Sequence, residues 1–575
     1  MKKPLFIILF LITTKGFSQA GFTVFDPDPS VFANPITNEN ELITMLGKTQ
    51  DLLTSYSWAV MVAEVASDNA RKGGDSEGDL IGLKMIEDFQ HTSLNQETQN
   101  IWNFMYAGYN RASYAYARGF GIPDISPSFL AEALFLKAFY AYTLIEWFGH
   151  YPRIEEYDEN NNPILSSSSL GERDEFLHEI LSILDEAISI TSNHGVSSSG
   201  RTVIDKNTML AFKGKTHVKL EQYFEAKSSI DEIINGGYYS LETNYQAIFD
   251  YRTASSIFDI DCTDNEYATW DCLLCSQGNV MAGFQGIRIY EGPEFKSGYG
   301  FNIPTQESYD SFDSGDIRRE IAILDISEWI SQNPTASFIE GYNHSGYFNK
   351  KYLPRQGGME LYFVELTYGN DLKVIRYAEL LLLCSELSVR IGNNNEALAY
   401  LNHVRNRAGL SDVSSNNANE LMDYIIEERR SEFMGEGKRF FDLIHFDKAS
   451  EILPNYIKGK HEVFPIPQSF IDLVNTNDEI VTQNPGYASF LSVNNSDTSI
   501  FSIYPNPTSD FLHINSTETL TNPKFELYDI QGRKILSNKF KPSELIDIRG
   551  LKPSMYFYNI RDGKELKHTG KLIKE

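Results

Sequence analysis

The run Glu427-Glu428-Arg429-Arg430-Ser431-Glu432 concentrates five charges in six residues. On a helix, Glu428 and Glu432 share a face and Glu427 can reach Arg430. Two carboxylates meeting in a cleft could act as acid and base in glycoside cleavage. The interleaved arginines favour the other reading, an ion network that pins helix against helix with Arg439 and Asp442 as partners. Asp259-x-Asp261-x-x-Asp264 offers oxygen ligands for calcium. It lacks the glycine and the distal glutamate of an EF-hand loop, so a solvated acidic loop is the simpler expectation. Cys272-Leu-Leu-Cys275 has a redox or half-zinc spacing. A complete zinc site needs four ligands, and no second pair follows. A local disulfide is expected in that loop, with Cys262 a rival partner for either cysteine. Cys384 lies in a helical apolar run and reads as a buried small hydrophobe. His403, His445 and His461 show no metal spacing, and no Gly-x-Ser-x-Gly, His-Glu-x-x-His or phosphate loop occurs. The residues imply no catalytic constellation, no metal site and no cofactor.

Aromatic residues make up 13% of the chain, enough to supply both a core and a stacking surface. Residues 241–372 are rich in Gly, Tyr, Ser and Asp and show no sustained helical period. A long irregular segment of this kind usually carries function. Tyr267, Trp270, Tyr290, Tyr299 and Tyr309 are its candidate stacking residues. Trp270 lies between Asp264 and Asp271, beside Tyr267. Further upstream, Ser67-Asp68-Asn69 with Arg71 supplies polar groups for a ligand, or else a capped helix stop.

Asp plus Glu outnumber Lys plus Arg by 78 to 50, for a formal charge of −28. Such a surface repels phosphate backbones and excludes nucleic acid as a partner. Lys2 and Lys3 precede a short apolar run, and Ser18-Gln19-Ala20 has the small residues of a signal-peptidase site. Residues 1–20 therefore read as a signal peptide. No cysteine lies near that site to carry a lipid, so export without this kind of anchor is expected. No later stretch is long and apolar enough to cross a bilayer.

Periodicity places helices over 40–66, 100–118, 128–148, 174–191, 205–220, 224–235, 372–391, 395–408 and 420–446. Gly214 precedes Ala226 by twelve residues, as Ser385 precedes Ala397. A tetratricopeptide-type hairpin needs small residues at this separation, because its two helices cross closely there. Ile230 and Ile233, and Leu401 and Val404, follow in register. Residues 488–499 read as a linker. Beyond it, about seven short alternating segments separated by turns imply a small β-sandwich over 500–575. The expected fold is mainly α: a tetratricopeptide-like helical scaffold over 21–487 with an irregular, loop-rich lobe, plus a small C-terminal all-β sandwich.

Several segments resemble the SusD/RagB family of outer-surface proteins. They are EALFLKAFYAYTLIEWFGHYP at 132–152, DLKVIRYAELLLLCSE at 371–386, ALAYLNHVRNRAGL at 397–410, IIEERRSEFMGEGKRFFDL at 425–443, FPIP at 464–467 and QNPGY at 483–487. The C-terminal segment resembles a type A sorting domain of the type IX secretion system. YPNP at 504–507, LYDIQGR at 527–533 and GKLIK at 570–574 carry that likeness. The first resemblance implies a non-enzymatic protein that binds an oligosaccharide, a polysaccharide or a peptide outside the cell and partners a SusC-type TonB-dependent barrel. The second implies the type IX secretion machinery as a partner. A secreted polysaccharide-degrading enzyme and a structural adhesin are the alternatives. For a sugar ligand, Trp270, Tyr267, Tyr290 and Tyr299 would cover the ring face, and Asp68, Asn69 and Arg71 would take the hydroxyls.

Overall fold

The computed structural model describes residues 26–487 apart from 34, 160, 192–201, 264–273, 275–276, 357–366 and 476–478, and most of 501–574. The signal segment and the linker lie outside the described residues. The chain divides into two compact units, 1–487 and 488–575.

The first unit is built on long helices. Asn95 caps the helix Gln96–Gly119 by accepting from the backbone of Glu97 and Thr98. The helix Pro127–Phe148 is apolar around most of its girth and is correspondingly buried, although its length and composition alone would also suit a membrane. Arg173–Ile190, Lys206–Lys219 and Tyr223–Gly236 follow. Later come Tyr377–Arg390, Asn394–Arg407, Ala418–Glu432 and Arg439–His445.

The two small-residue pairs mark two helix crossings. A Cβ on Gly214 would lie 2.6 Å from Ile230 Cδ1 and 3.4 Å from the Ala226 carbonyl oxygen. In the second pair, Ser385 Oγ donates to the Ala397 carbonyl at 2.7 Å across the crossing. Ile230, Ile233, Leu401 and Val404 are all buried behind these contacts.

The expected helix over 40–66 is interrupted by a 3-10 turn at Leu52–Ser55, and two further expected helices differ. Leu372–Arg376 is a buried strand paired antiparallel with Ser256–Ile260, and the helix begins only at Tyr377. The β-branched Val374 and Ile375 suit that strand, and Lys373 enters the core because Asp259 accepts from its ammonium at 2.8 Å. The expected helix over 420–446 breaks at Gly435-Glu436-Gly437, where both glycines are left-handed. Glu436 is drawn to Lys351 and Arg376, and the Gly437 N–H donates to Glu64 Oε1 at 2.7 Å.

The irregular lobe is held by short antiparallel pairs: Ala70–Gly73 with Phe301–Pro304, and Ile323–Asp325 with Tyr347–Asn349. It has a small core of its own around Ile287, Tyr290, Phe295, Leu324 and Phe348.

The second unit comprises two antiparallel sheets. One has strand order Leu545–Asp547, Phe511–Ser516, Phe501–Tyr504. The other runs Lys534–Lys539, Pro523–Tyr528, Ser554–Asp562, Glu565–Lys574. Leu512, Ile514, Phe525, Leu527, Ile546, Ile560 and Leu572 form its core.

Candidate functional site

The conspicuous charged run is buried structure. Arg318 Nη1 donates to Glu428 Oε1 at 2.6 Å and to Glu432 Oε2 at 2.9 Å, and its other nitrogens engage Asp316. Arg376 and Arg407 converge on the same Glu432 carboxylate at 2.7 and 2.6 Å. Burial alone would raise the Glu432 pKa; Arg407, Arg376 and Arg318 reverse this and hold it well below the carboxylate range. Arg429 pairs with Asp442 at 2.7 Å, and Arg439 turns instead to Asp68. Each of these carboxylates is occupied by a guanidinium, so none is poised as an acid or base.

A cavity of about 110 Å³ lies among the helices at Glu146, Lys219, Glu379 and Lys438. It falls well short of the several hundred Å³ usual for an organic ligand. Its charges are already paired, Lys219 with Glu146 at 2.9 Å and Lys215 with Glu379 at 2.6 Å. It is an ionic seam between helices.

The open chemistry lies where the first lobe strand leaves the helical scaffold. Ser67 Oγ donates to the Glu64 carbonyl and stops the helix Tyr56–Val65. Asp68 accepts from Arg439 Nε at 2.8 Å and lies 3.1 Å from Arg430 Nη2. Burial pushes its pKa up, and the two arginines more than offset this. Asn69 is buried and accepts from Arg430 Nε at 3.1 Å. Thr305 N–H donates to the Asn69 carbonyl at 2.9 Å, which fixes the entry of the strand Ala70–Gly73. Asp68 and Asn69 are thus spent on anchoring, whereas Arg71 stands exposed on the strand opposite Ile303.

Beyond the strand, Gly73 and Gly74 have φ of +72° and +80°. A Cβ on Gly73 would sit 2.3 Å from the Gly300 carbonyl oxygen, so only glycine admits this approach. Gly74 N–H donates to Gly300, and Tyr342 N–H donates to Gly74. Three distant segments therefore meet at one rim. The Lys72 ammonium lies 5.0 Å from the Tyr342 ring centre and donates to the Ser76 and Glu77 carbonyls, holding the loop. Arg288 pairs with Asp75 and donates to the Glu340 carbonyl at 3.2 Å. The Asp75 side chain is 65% exposed, unlike the carboxylates of the buried network. Ile289 and Ile339 are each half exposed beside this pair. Ile289 has φ +47°, a strained conformation for a β-branched residue, and it holds an apolar side chain at the surface. The rim offers an acceptor, a fork of donors, apolar surface and a half-buried tyrosine. That set suits a neutral polyhydroxylated ligand.

The other sequence candidates are distributed differently. Tyr267 and Trp270, with Asp264, Cys272 and Cys275, lie outside the described residues. The flanks of that segment meet, with Thr263 N–H donating to the Gln277 carbonyl at 2.8 Å. Cys262 N–H donates to Asp371, and Cys384 is fully buried, with its thiol pKa raised by burial. Asp259, one of the three carboxylates in the acidic spacing, is taken by Lys373. Among the described residues no cluster of His, Cys, Asp or Glu is arranged to hold a metal.

Tyr290 is a core residue. Its hydroxyl donates to the Pro293 carbonyl at 2.8 Å and accepts from Trp329 Nε1 at 2.9 Å, leaving no ring face for a ligand. Tyr299 is half-buried, 5.5 Å from the Phe284 ring. Tyr309 stacks on Tyr347 at 4.4 Å. Asp75, Arg288, Ile289 and Tyr342 were not singled out by sequence reasoning; the pair Gly73-Gly74 before an aspartate was the available signal.

The fold and site define a class: a helical, tetratricopeptide-like binding scaffold that presents an open polar rim on an irregular lobe. Residues 322–487 match the SusD family, and residues 502–575 match the secretion system C-terminal sorting domain. SusD-like protein P2 of Formosa agariphila is 24% identical over 444 residues, covering 70% of this chain and 83% of that relative. Among solved structures, a laminarin binding SusD-like protein superposes with TM-score 0.68 at 27% identity, over 78% of this chain and all of that one. Surface glycan-binding protein A from Bacteroides fluxus does so with TM-score 0.68 at 26% identity and the same coverage. The helical unit is thus similar to SusD-like proteins, and the C-terminal unit to a secretion sorting domain.

Proposed function

We propose that this protein captures glycans at the cell exterior for nutrient uptake and does not cleave them. The observation that carries the reading is the match of this chain's scaffold, which itself presents a donor–acceptor rim at Asp75 and Arg288, to the whole length of the laminarin binding SusD-like protein. The family resemblance supplies a SusC-type TonB-dependent barrel as the uptake partner. The sorting domain supplies passage through the type IX machinery to the outer surface, with residues 1–20 and the C-terminal unit removed on the way. Laminarin-type glucan is the ligand class to examine first, since the structural relatives include laminarin binders. Trp270 and Tyr267 form part of the proposal as stacking residues, and Arg71 as a hydroxyl partner.

Titration of the purified chain with laminarihexaose tests this reading. Saturable binding with the oligosaccharide recovered intact is expected. Trp270→Ala should weaken it about tenfold, the equivalent of removing some tens of Å² of buried ring face. Accumulation of shorter oligosaccharides, lost on substitution of a single carboxylate in a folded variant, would establish an enzyme instead.

A further inference from the structure

The outward face of the C-terminal four-stranded sheet follows from its register. Phe525, Leu527 and Ile560 enter that unit's core, so Lys524, Glu526 and Tyr528, which alternate with them, lie on the opposite face. Lys539, Lys524 and Arg561 stand directly opposite one another across three neighbouring strands. Three like charges in one cross-strand row oppose folding. Glu526, in the next row, relieves part of this. Its carboxylate lies 2.8 Å from the Lys534 ammonium, 3.0 Å from that of Lys524 and 3.2 Å from Arg561 Nε, and it also accepts from the Tyr528 hydroxyl at 2.9 Å.

Three cations thus meet at one carboxylate and Lys539 stands in the row beside them, in a chain whose overall charge is −28. Protection of an edge strand accounts for lysines on Lys534–Lys539, the outermost strand. It does not account for Lys524 and Arg561 on the two central strands. On the same face Tyr528 and Phe557 are cross-strand neighbours, and Phe557 is 48% exposed.

A row of cations beside exposed Phe557 and its half-buried neighbour Tyr528 suits a polymer that is both anionic and built of rings. Neighbouring strands are about 4.8 Å apart, so the row spans roughly 10 Å, room for acidic groups on successive sugar units. The aromatic rings would cover C–H faces of those sugars while the cations take their anions. An acidic protein would use the cations and leave exposed Phe557 without a purpose. We propose that this sheet face binds an anionic polysaccharide, one bearing carboxylate or sulfate groups. The site draws on residues of the C-terminal unit alone and acts in the exported chain before that unit is removed.

The test uses the full chain, titrated with polygalacturonate and with dextran sulfate. Uncharged dextran and polyglutamate serve as comparisons, and laminarihexaose reports on the rim. Both anionic polysaccharides should bind and dextran should not. Lys524→Gln combined with Lys539→Gln should weaken their binding at least about tenfold, and Phe557→Ala about threefold or more. Affinity for laminarihexaose, whatever its value, should not change. The unfolding midpoint of the C-terminal unit should hold or rise, since the variants relieve repulsion. Unchanged binding in the double variant would overturn the proposal, as would a fall in that midpoint, which would make the row a structural feature. Polyglutamate bound as tightly as polygalacturonate, with Phe557→Ala silent, would also overturn it and make the face a dock for acidic protein.

Discussion

Arginine meets carboxylate in two settings within the helical unit. Around Glu432, three guanidinium groups close on one fully buried carboxylate, and the Arg318 side chain is itself fully buried. At the rim, Arg288 meets Asp75 with most of the aspartate facing solvent. The ion chemistry is the same and the consequences differ. The buried assembly has no vacant lone pair within reach of a ligand, so it ties the lobe to the helices. The rim pair keeps Asp75 lone pairs open to solvent, where they can accept from hydroxyl groups, while Arg288, 15% exposed and tied to the Glu340 carbonyl, holds the aspartate in place. Asp68 lies between these extremes, tied to Arg439 and Arg430 and set at the root of the strand that leads to the rim.

Substitutions can break the contrast apart. The largest effect is expected at Glu432. Glu432→Ala leaves Arg318, Arg376 and Arg407 without their shared counter-charge and should cost about 3–5 kcal/mol in denaturant unfolding. A loss near zero would mean that water already shields the network. Asp68→Asn should cost about 2 kcal/mol, the scale of hydrogen bonds to a charged partner. It should also speed amide exchange over residues 70–80; unchanged exchange there would show that the strand holds without its anchor.

Glu64 sharpens the comparison through pH. Burial raises its pKa from 4.5 to about 7, the Gly437 N–H only partly opposing this. The unfolded chain releases the proton near 4.5 and the folded chain keeps it to about 7, so Glu64 makes stability fall as pH rises through that window. Glu432 has the opposite sign: its folded pKa is depressed, so its contribution is present above the unfolded value and is lost as pH falls through the folded one. Glu64→Gln should therefore flatten the decline between pH 4.5 and 7 in a series of unfolding curves; an unaltered slope would assign the decline to other groups. The smallest stability effect belongs to Asp75→Ala, about 1 kcal/mol or less.

The helix pairs are legible in the sequence because their determinants are local. Gly214 with Ala226 and Ser385 with Ala397 lie one hairpin apart, and the crossings fall at those residues. The strand Leu372–Arg376 is not legible, because its partner Ser256–Ile260 is more than a hundred residues upstream and its apolar run suits a helix as well. The rim fails for the same reason on a larger scale, since Asp75, Arg288 and Tyr342 converge only when three segments fold together. Tyr290 shows a further limit. Residue type marks a ring capable of stacking, but the Trp329 and Pro293 groups that hold its hydroxyl in a core are set by tertiary structure.

The central claim is that the rim pair, with its solvent-facing Asp75, and not the buried network, meets the ligand. Calorimetric titration of Arg288→Ala with laminarihexaose, alongside its thermal unfolding, tests it most directly. Binding weakened about tenfold, with the unfolding midpoint lowered by less than in Glu432→Ala, is the predicted result. Affinity equal to that of the unaltered chain would contradict it and move the glycan site away from this rim.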